Sequence, residues 1–199
     1  MHYKITNLIK FFRPKSISLL SLFFIALLNV SFVHSENDIV AKEYTLKTAF
    51  LYNFARLVDW PEGTLSNGTP YLQICLIGND PFDRALKALN NKKAHNKTLL
   101  INRNISAFEI PQCQILFISE SETENVTDIL KTAAQSPILT ISELEGFTQQ
   151  SGHIRLFLRE DKTISLEVNH NAIKKSGLAI SSRILSLAKI IETEEQSHD

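Results

Sequence analysis

The stretch Tyr44–Pro61, YTLKTAFLYNFARLVDWP, sets the frame for the rest of the chain. Leu46, Ala49, Phe50, Asn53, Phe54, Leu57 and Val58 recur at steps of three and four, which puts them on one face of a helix. Pro61 is expected to end that helix, because the residue before a proline is pushed out of the α region. Phe50, Phe54 and Leu57 make the stripe too apolar to face water, so the helix must pack on a larger body. Lys47, Arg56 and Asp59 fall off the stripe and are expected to face solvent. Asn53 is an amide on an otherwise apolar face. Two readings stand for it: a buried amide bonded to neighbouring backbone, or a contact residue for a ligand or partner.

The chain has 199 residues, enough for one domain or at most two small ones. Lys4, Lys10, Arg13 and Lys15 precede an apolar run, Ile17–Val33, and no acidic residue occurs before Glu36. That is the pattern of an export signal, residues 1–35, with a cut expected at Ser35/Glu36. The run carries Ser18, Ser21, Asn29 and Ser31 and is short for a membrane span, so an uncleaved anchor is the lesser reading. A periplasmic protein follows. The 21 basic and 21 acidic residues balance in the whole chain; without the four N-terminal cations the excess is 4 acidic. No Lys/Arg cluster with interleaved aromatics appears, which argues against nucleic acid as a partner. Two cysteines, Cys75 and Cys113, remain in the exported part. In an oxidising compartment they form one disulfide, the favoured reading, or stay as two small buried thiols.

Residues 36–43 read as a flexible leader, 44–191 as the folded domain and 192–199 as a polar tail. After the helix, Glu62–Pro70 is a loop and Tyr71–Ile77 a strand. Gly78-Asn79-Asp80-Pro81 turns into a helix near Phe82–Asn90, with Asp80 as its cap. Gly78 stands alone, without a phosphate-binding glycine pattern around it. Thr98–Asn102 is a short strand. Cys113–Ser119 is apolar enough to be a strand buried on both faces. Ser121–Gln135 is a helix capped by Ser121 with Glu124, and Val126, Ile129, Leu130 and Ala133 face inward. Pro137–Ser142 is another strand. His153–Asn169 alternates as a hairpin, with Arg155 opposite Glu167 and His153 opposite Asn169. A short helix, Asn171–Ser176, ends at Gly177, and Ser181 caps a last helix, Ser182–Ile191. The sum is a single α/β domain: a mixed, mostly parallel sheet flanked by helices, with a C-terminal β-hairpin and closing helices.

Catalytic patterns are thin. His153 and His170 near Glu167 form a weak zinc candidate without HExxH or CxxC spacing; solvated strand-end histidines are the stronger reading. Ser186-Leu187-Ala188-Lys189 matches SxxK in letters but lacks its companion segments, and a lysine late in a helix has an ordinary dipole explanation. The residues point to a protein that binds something and needs no metal or cofactor.

Six segments then resemble the YfiR-like family of periplasmic regulators: KTAFLYNFARLVDWP (Lys47–Pro61), ICLIGNDPF (Ile74–Phe82), CQILFIS (Cys113–Ser119), PILTISELEGF (Pro137–Phe147), SGHIRLFL (Ser151–Leu158) and ISLEVNHNAIKKSGLAISSRILSLAKII (Ile164–Ile191). The resemblance implies a non-enzymatic protein. It would bind the periplasmic domain of an inner-membrane diguanylate cyclase, or in some relatives a sensor histidine kinase, and hold it inactive. Release, in some members by sequestration on an outer-membrane partner, raises cyclic-di-GMP and favours biofilm. The family can dimerise and carries disulfides, which Cys75 and Cys113 fit; a second pair known in some members has no counterpart here. The matched positions offered as partner contacts are Asn53, Arg56, Trp60, Asn169, Ser181 and Ser182. Trp60 is either a buried structural residue or a hot-spot anchor. A periplasmic small-molecule binder is the alternative function.

Overall fold

A computed structural model describes residues 30–65 and 68–191 of the chain, with side chains from residue 39 onward. Most of the expected export segment and all of the tail 192–199 lie outside the described residues. Residues from Val40 onward form one compact unit. The elements in order are α1 (Val30–Leu57), β1 (Val58–Asp59), β2 (Tyr71–Ile77), β3 (Lys93–Ala94), β4 (Lys97–Asn102), β5 (Ile115–Ile118), α2 (Val126–Ala133), β6 (Leu139–Ser142), β7 (Ile154–Leu158), β8 (Ile164–Asn169), α3 (His170–Lys175), β9 (Ala179–Ile180), α4 (Ser182–Leu185) and β10 (Ala188–Ile191). Short 3-10 turns of helix occupy Ala85–Leu89, Ala107–Gln112 and Glu120–Glu122.

Eight of the described strands form one sheet in the order β10-β8-β7-β6-β5-β2-β4-β3. β4, β2, β5, β6 and β7 run parallel, β7 and β8 form the antiparallel hairpin, and β3 closes the far edge antiparallel to β4. The α/β class, the single domain and the mostly parallel sheet are therefore as the sequence indicates. Every residue of β5 is buried. The pleat sends alternate side chains to opposite faces. Ile115 and Phe117 join Leu72, Ile74 and Leu76 under Leu51, Phe54 and Ala55 of α1. Leu116 and Ile118 join Cys75, Ile77 and Cys113 under Val126, Ile129, Leu130 and Ala133 of α2. The sheet thus separates two apolar layers, one helix lying against each. Cys75 and Cys113 are joined as a disulfide, with 5.9 Å between their Cα atoms, on the α2 side.

Several local readings change. α1 runs back through 36–43, so the segment expected as a flexible leader is helical. At its other end α1 stops at Leu57, before Pro61, because Val58 and Asp59 pair with Ile180 and Ala179 of β9. Its buried face is rotated from the expected stripe. Lys47, Thr48, Leu51, Phe54, Ala55 and Val58 are buried, while Leu46 is 48 % exposed and Ala49 and Asn53 face solvent. The segment after Asp80 is mostly turns and the 3-10 stretch Ala85–Leu89, not a full helix, although Asp80 Oδ1 does accept from the Phe82 N–H at 2.8 Å. Ser121 does not cap α2, which starts at Val126; its hydroxyl accepts from the Asn79 N–H at 2.9 Å. That close approach needs glycine at position 78: φ is +84°, and a Cβ there would lie 2.5 Å from Ser121 Oγ. The glutamate Glu122 fills the rest of that space, so the turn is packed by its own chain.

The hairpin register is as expected, with Arg155 opposite Glu167, and the Asn169 N–H donates to the His153 carbonyl at 2.9 Å. The last helix is not. α4 spans only Ser182–Leu185, and Ala188–Ile191 pairs with β8 as a parallel edge strand. A strand is favoured there because β8 would otherwise present a row of unpaired backbone groups at the sheet edge.

Candidate functional site

The C-terminal half of α1, the floor of β8 and α4 enclose a groove of about 110 Å³ lined by Phe50, Asn53, Arg56, Leu166, Arg183 and Leu187, among others. Its walls follow from the rotated helix. α1 is apolar on more than one side, and the side that lines the groove carries Phe50 and Leu57, both partly buried against the core. Leu187, 66 % exposed, extends this apolar surface beyond α4. Arg56 and Arg183 stand exposed at the rim. No ion pair among the described residues joins either to a carboxylate.

Of the six contact positions that the resemblance offers, two line the groove and two open the adjoining helix α4. Asn53 and Arg56 line the groove. Ser181 lies at the N-terminus of α4, where its Oγ accepts from the Arg183 N–H at 3.3 Å, and its own N–H donates to the Leu57 carbonyl at 3.0 Å. Ser182 follows it, exposed. Asn53 is thus an exposed groove residue, not a buried amide. Trp60 lies further along, half-buried against the α1-side core and edge-to-face with His95 at 5.7 Å. Its Nε1–H is buried and meets no acceptor among the described residues. Asn169 is elsewhere and its amide is occupied: Oδ1 accepts from the Ala172 N–H at 2.8 Å, capping α3, and Nδ2 donates to the Thr148 carbonyl at 2.8 Å. Arg183 and Leu187 were not singled out by sequence, because only the fold brings α4 against α1.

A chain of ionic groups links α1 to the end of β6 and to the β7–β8 hairpin. Lys47 reaches both Glu43 and Glu143, and the Tyr44 hydroxyl donates to Glu143 at 3.1 Å. Burial raises the Glu143 carboxyl above its ordinary pKa, and the Lys47 ammonium offsets part of that. Burial, then the Glu143 charge, raises the Tyr44 phenol. Arg155 Nε donates to the Glu143 carbonyl at 3.2 Å and its guanidinium lies 3.6 Å from Glu167, which Lys189 also approaches at 3.6 Å. Lys47 was expected in water; it is instead the buried link between α1 and the end of β6. Lys189 belongs to β10, and Ser186 Oγ donates to the Arg183 carbonyl at 3.0 Å, so the SxxK letters do not share a helix.

His153 is not a solvated strand end. It is buried, its Nδ1 accepts from the Thr140 N–H at 3.1 Å, and burial lowers its pKa to about 4. It lines a second cavity, of about 230 Å³, with Thr140, Asn169, Asn171 and Lys175. Among the described residues no group of three or more His, Cys, Asp or Glu side chains is arranged to hold a metal ion. None of the described helices is long and apolar enough to cross a membrane.

No curated protein matches the sequence. The solved structure of a conserved domain protein from Vibrio cholerae O1 biovar El Tor is similar at 10 % identity with a TM-score of 0.45. The similarity covers 62 % of this chain and 55 % of that one, so the chain spans about half the length of that structure. The model of the YfiR/HmsC-like family matches residues 44–189, the whole of the sheet but its last two residues and every residue of the groove. The chain belongs to the YfiR/HmsC-like family.

Proposed function

We propose that this chain is a periplasmic, non-enzymatic regulator that binds the periplasmic domain of an inner-membrane signalling enzyme, a diguanylate cyclase in the first instance, and holds it inactive. Family membership over residues 44–189 carries the reading. The groove between α1 and α4 gives it a surface: apolar walls under two arginines suit an apolar segment of the partner flanked by carboxylates. The mechanism is linkage. A protein that binds only the inactive state of the enzyme shifts its population by the difference in affinity for the two states, tenfold for about 1.4 kcal/mol. Cyclic-di-GMP and biofilm would be the outputs. A sensor kinase would be reached by the same surface, and an outer-membrane partner would relieve repression by competing for the chain.

The test is capture from membranes of the source organism, with mass spectrometry of what is retained, by the wild-type chain and by R56E/R183E. Retention of a cyclase by the wild type, lost in the variant, supports both the reading and the surface. Retention of a kinase changes the output. Retention of nothing, from membranes that contain such enzymes, refutes the reading and favours small-molecule binding. That second reading has its own observation, the cavity beside His153, and predicts ligand-dependent thermal stabilisation without a membrane partner.

A further inference from the structure

Between Asp83 and Glu109 the chain carries six lysines and arginines and no carboxylate. The fold lays part of this run beside α1. Arg56 and Lys92 flank the ring of Tyr52, at 5.5 and 6.0 Å from its centroid, and the Tyr52 hydroxyl reaches toward the Lys93 carbonyl at 3.5 Å. His95, in the turn after β3, packs on Trp60. Arg56, Lys92, Lys93 and His95 are exposed, with Tyr52 and Trp60 half-buried among them. No ion pair among the described residues joins Arg56, Lys92 or Lys93 to a carboxylate. The sequence shows no such cluster in a line; α1 and the β3 hairpin assemble it.

We propose that this edge docks on an anionic lipid surface, through the phosphate groups of a bilayer. Three features favour lipid over an acidic protein. The patch lies where α1 meets β3, the strand at one edge of the sheet, and is an open edge rather than a cleft. Its cations are mainly lysines, mobile point charges that suit a fluid array of phosphates better than fixed bidentate pairing. Tyr and Trp rings set among cations are the side chains that settle at a membrane–water interface. Arg56 belongs both to this patch and to the groove rim, so docking would hold the groove next to the bilayer, where the domain of a membrane enzyme stands. The inference rests on charge and exposure and does not require the identity of that enzyme.

The test is co-sedimentation of the full chain with vesicles of phosphatidylcholine and with vesicles of equal parts phosphatidylcholine and phosphatidylglycerol. Tighter binding to the anionic vesicles is expected, falling as salt is raised. Each lysine near such a surface is worth roughly fivefold in affinity, so K92E/K93E should weaken binding at least roughly 25-fold. The apolar run Ile17–Val33 and its four cations, where retained, contribute equally to both proteins, so the variant decides. An unchanged urea midpoint checks its fold; K92Q/K93Q, expected to lose less, replaces it if that midpoint moves. Equal binding by wild type and variant, no preference for anionic vesicles, or binding of soluble polyglutamate with vesicles untouched overturns the proposal, the last in favour of an acidic protein partner.

Discussion

Replacing Lys47 by Met removes one charge from a buried pair and leaves its partner behind. The Lys47 side chain is 3 % exposed and that of Glu143 8 %, so water cannot take over the lost interaction. Breaking a buried pair from one side costs about 3–5 kcal/mol. For a domain of this size that is a drop of roughly 6–20 °C in Tm. Glu143 can escape by taking a proton, and its pKa, already raised by burial, rises further without the ammonium. The folded state then binds more protons than the unfolded state at every pH between 4.5, the ordinary carboxyl value, and the raised one. Stability therefore falls as pH rises through that window. The deficit of K47M should be largest at about pH 8 and smallest near pH 5, since carboxyls ordinarily titrate near 4.3. K47M/E143Q, which removes the charge and keeps an acceptor for Tyr44, should recover most of the loss. Urea unfolding read from the fluorescence of Trp60, the one tryptophan in the chain, measures all three. A deficit under about 1 kcal/mol at high pH, or one of the same size at both pH values, would refute the account of this pair, since one-sided loss of a buried charge should cost more.

Opening the Cys75–Cys113 disulfide, by reductant or as C75A/C113A, releases a loop closed over a sequence separation of 38 and should cost roughly 4 kcal/mol on the chain-entropy model; an unmoved urea midpoint contradicts it. His153 has its pKa lowered from 6.5 to about 4, so the stability it contributes as a neutral group is complete above pH 6.5 and lost as pH falls toward 4. His153→Asn, whose Oδ1 can take the Thr140 N–H, should flatten that acid limb; an identical slope in both proteins would count against it. Asn169→Ala removes a cap and a buried amide donor and should cost about 2–3 kcal/mol. Partner capture by this variant, measured where it is still folded, should match wild type, because Asn169 lines the cavity beside His153 and not the groove.

How far the sequence reveals this molecule differs from element to element. β2, β5 and β6 are legible because each is a short, mostly apolar run between turn signals. The hairpin register is legible because alternation on both strands allows one pairing that buries Ile154, Leu156, Leu166 and Val168 together. The face of α1 is not. Leu46, Phe50, Leu51, Tyr52, Phe54, Ala55 and Leu57 surround that helix, so periodicity admits neighbouring answers. Glu143, far along the chain, decides it by pairing with Lys47. The groove is half visible: Asn53 and Arg56 are among the positions the family resemblance offers, whereas Arg183 and Leu187 need α4 to be placed. The last strand is not legible, because LAKII carries no stop after SSRILS and only the vacant edge of β8 makes it a strand.

The junction of β1 with β9 bears on when folding can finish. Val58 pairs with Ile180, and the Ser181 N–H reaches the Leu57 carbonyl, so the first structured element of the domain is held by nearly its last. β10, at the edge of the sheet opposite β3, is later still. A chain emerging from its N-terminus has β2, β5 and β6 available to collapse while the anchor for the end of α1 has yet to appear. Loop closure over such a separation is slow and gains its reward only at the end. The end of α1 therefore stays unanchored until residues 179–181 are made, and the sheet stays one strand short until β10 follows them.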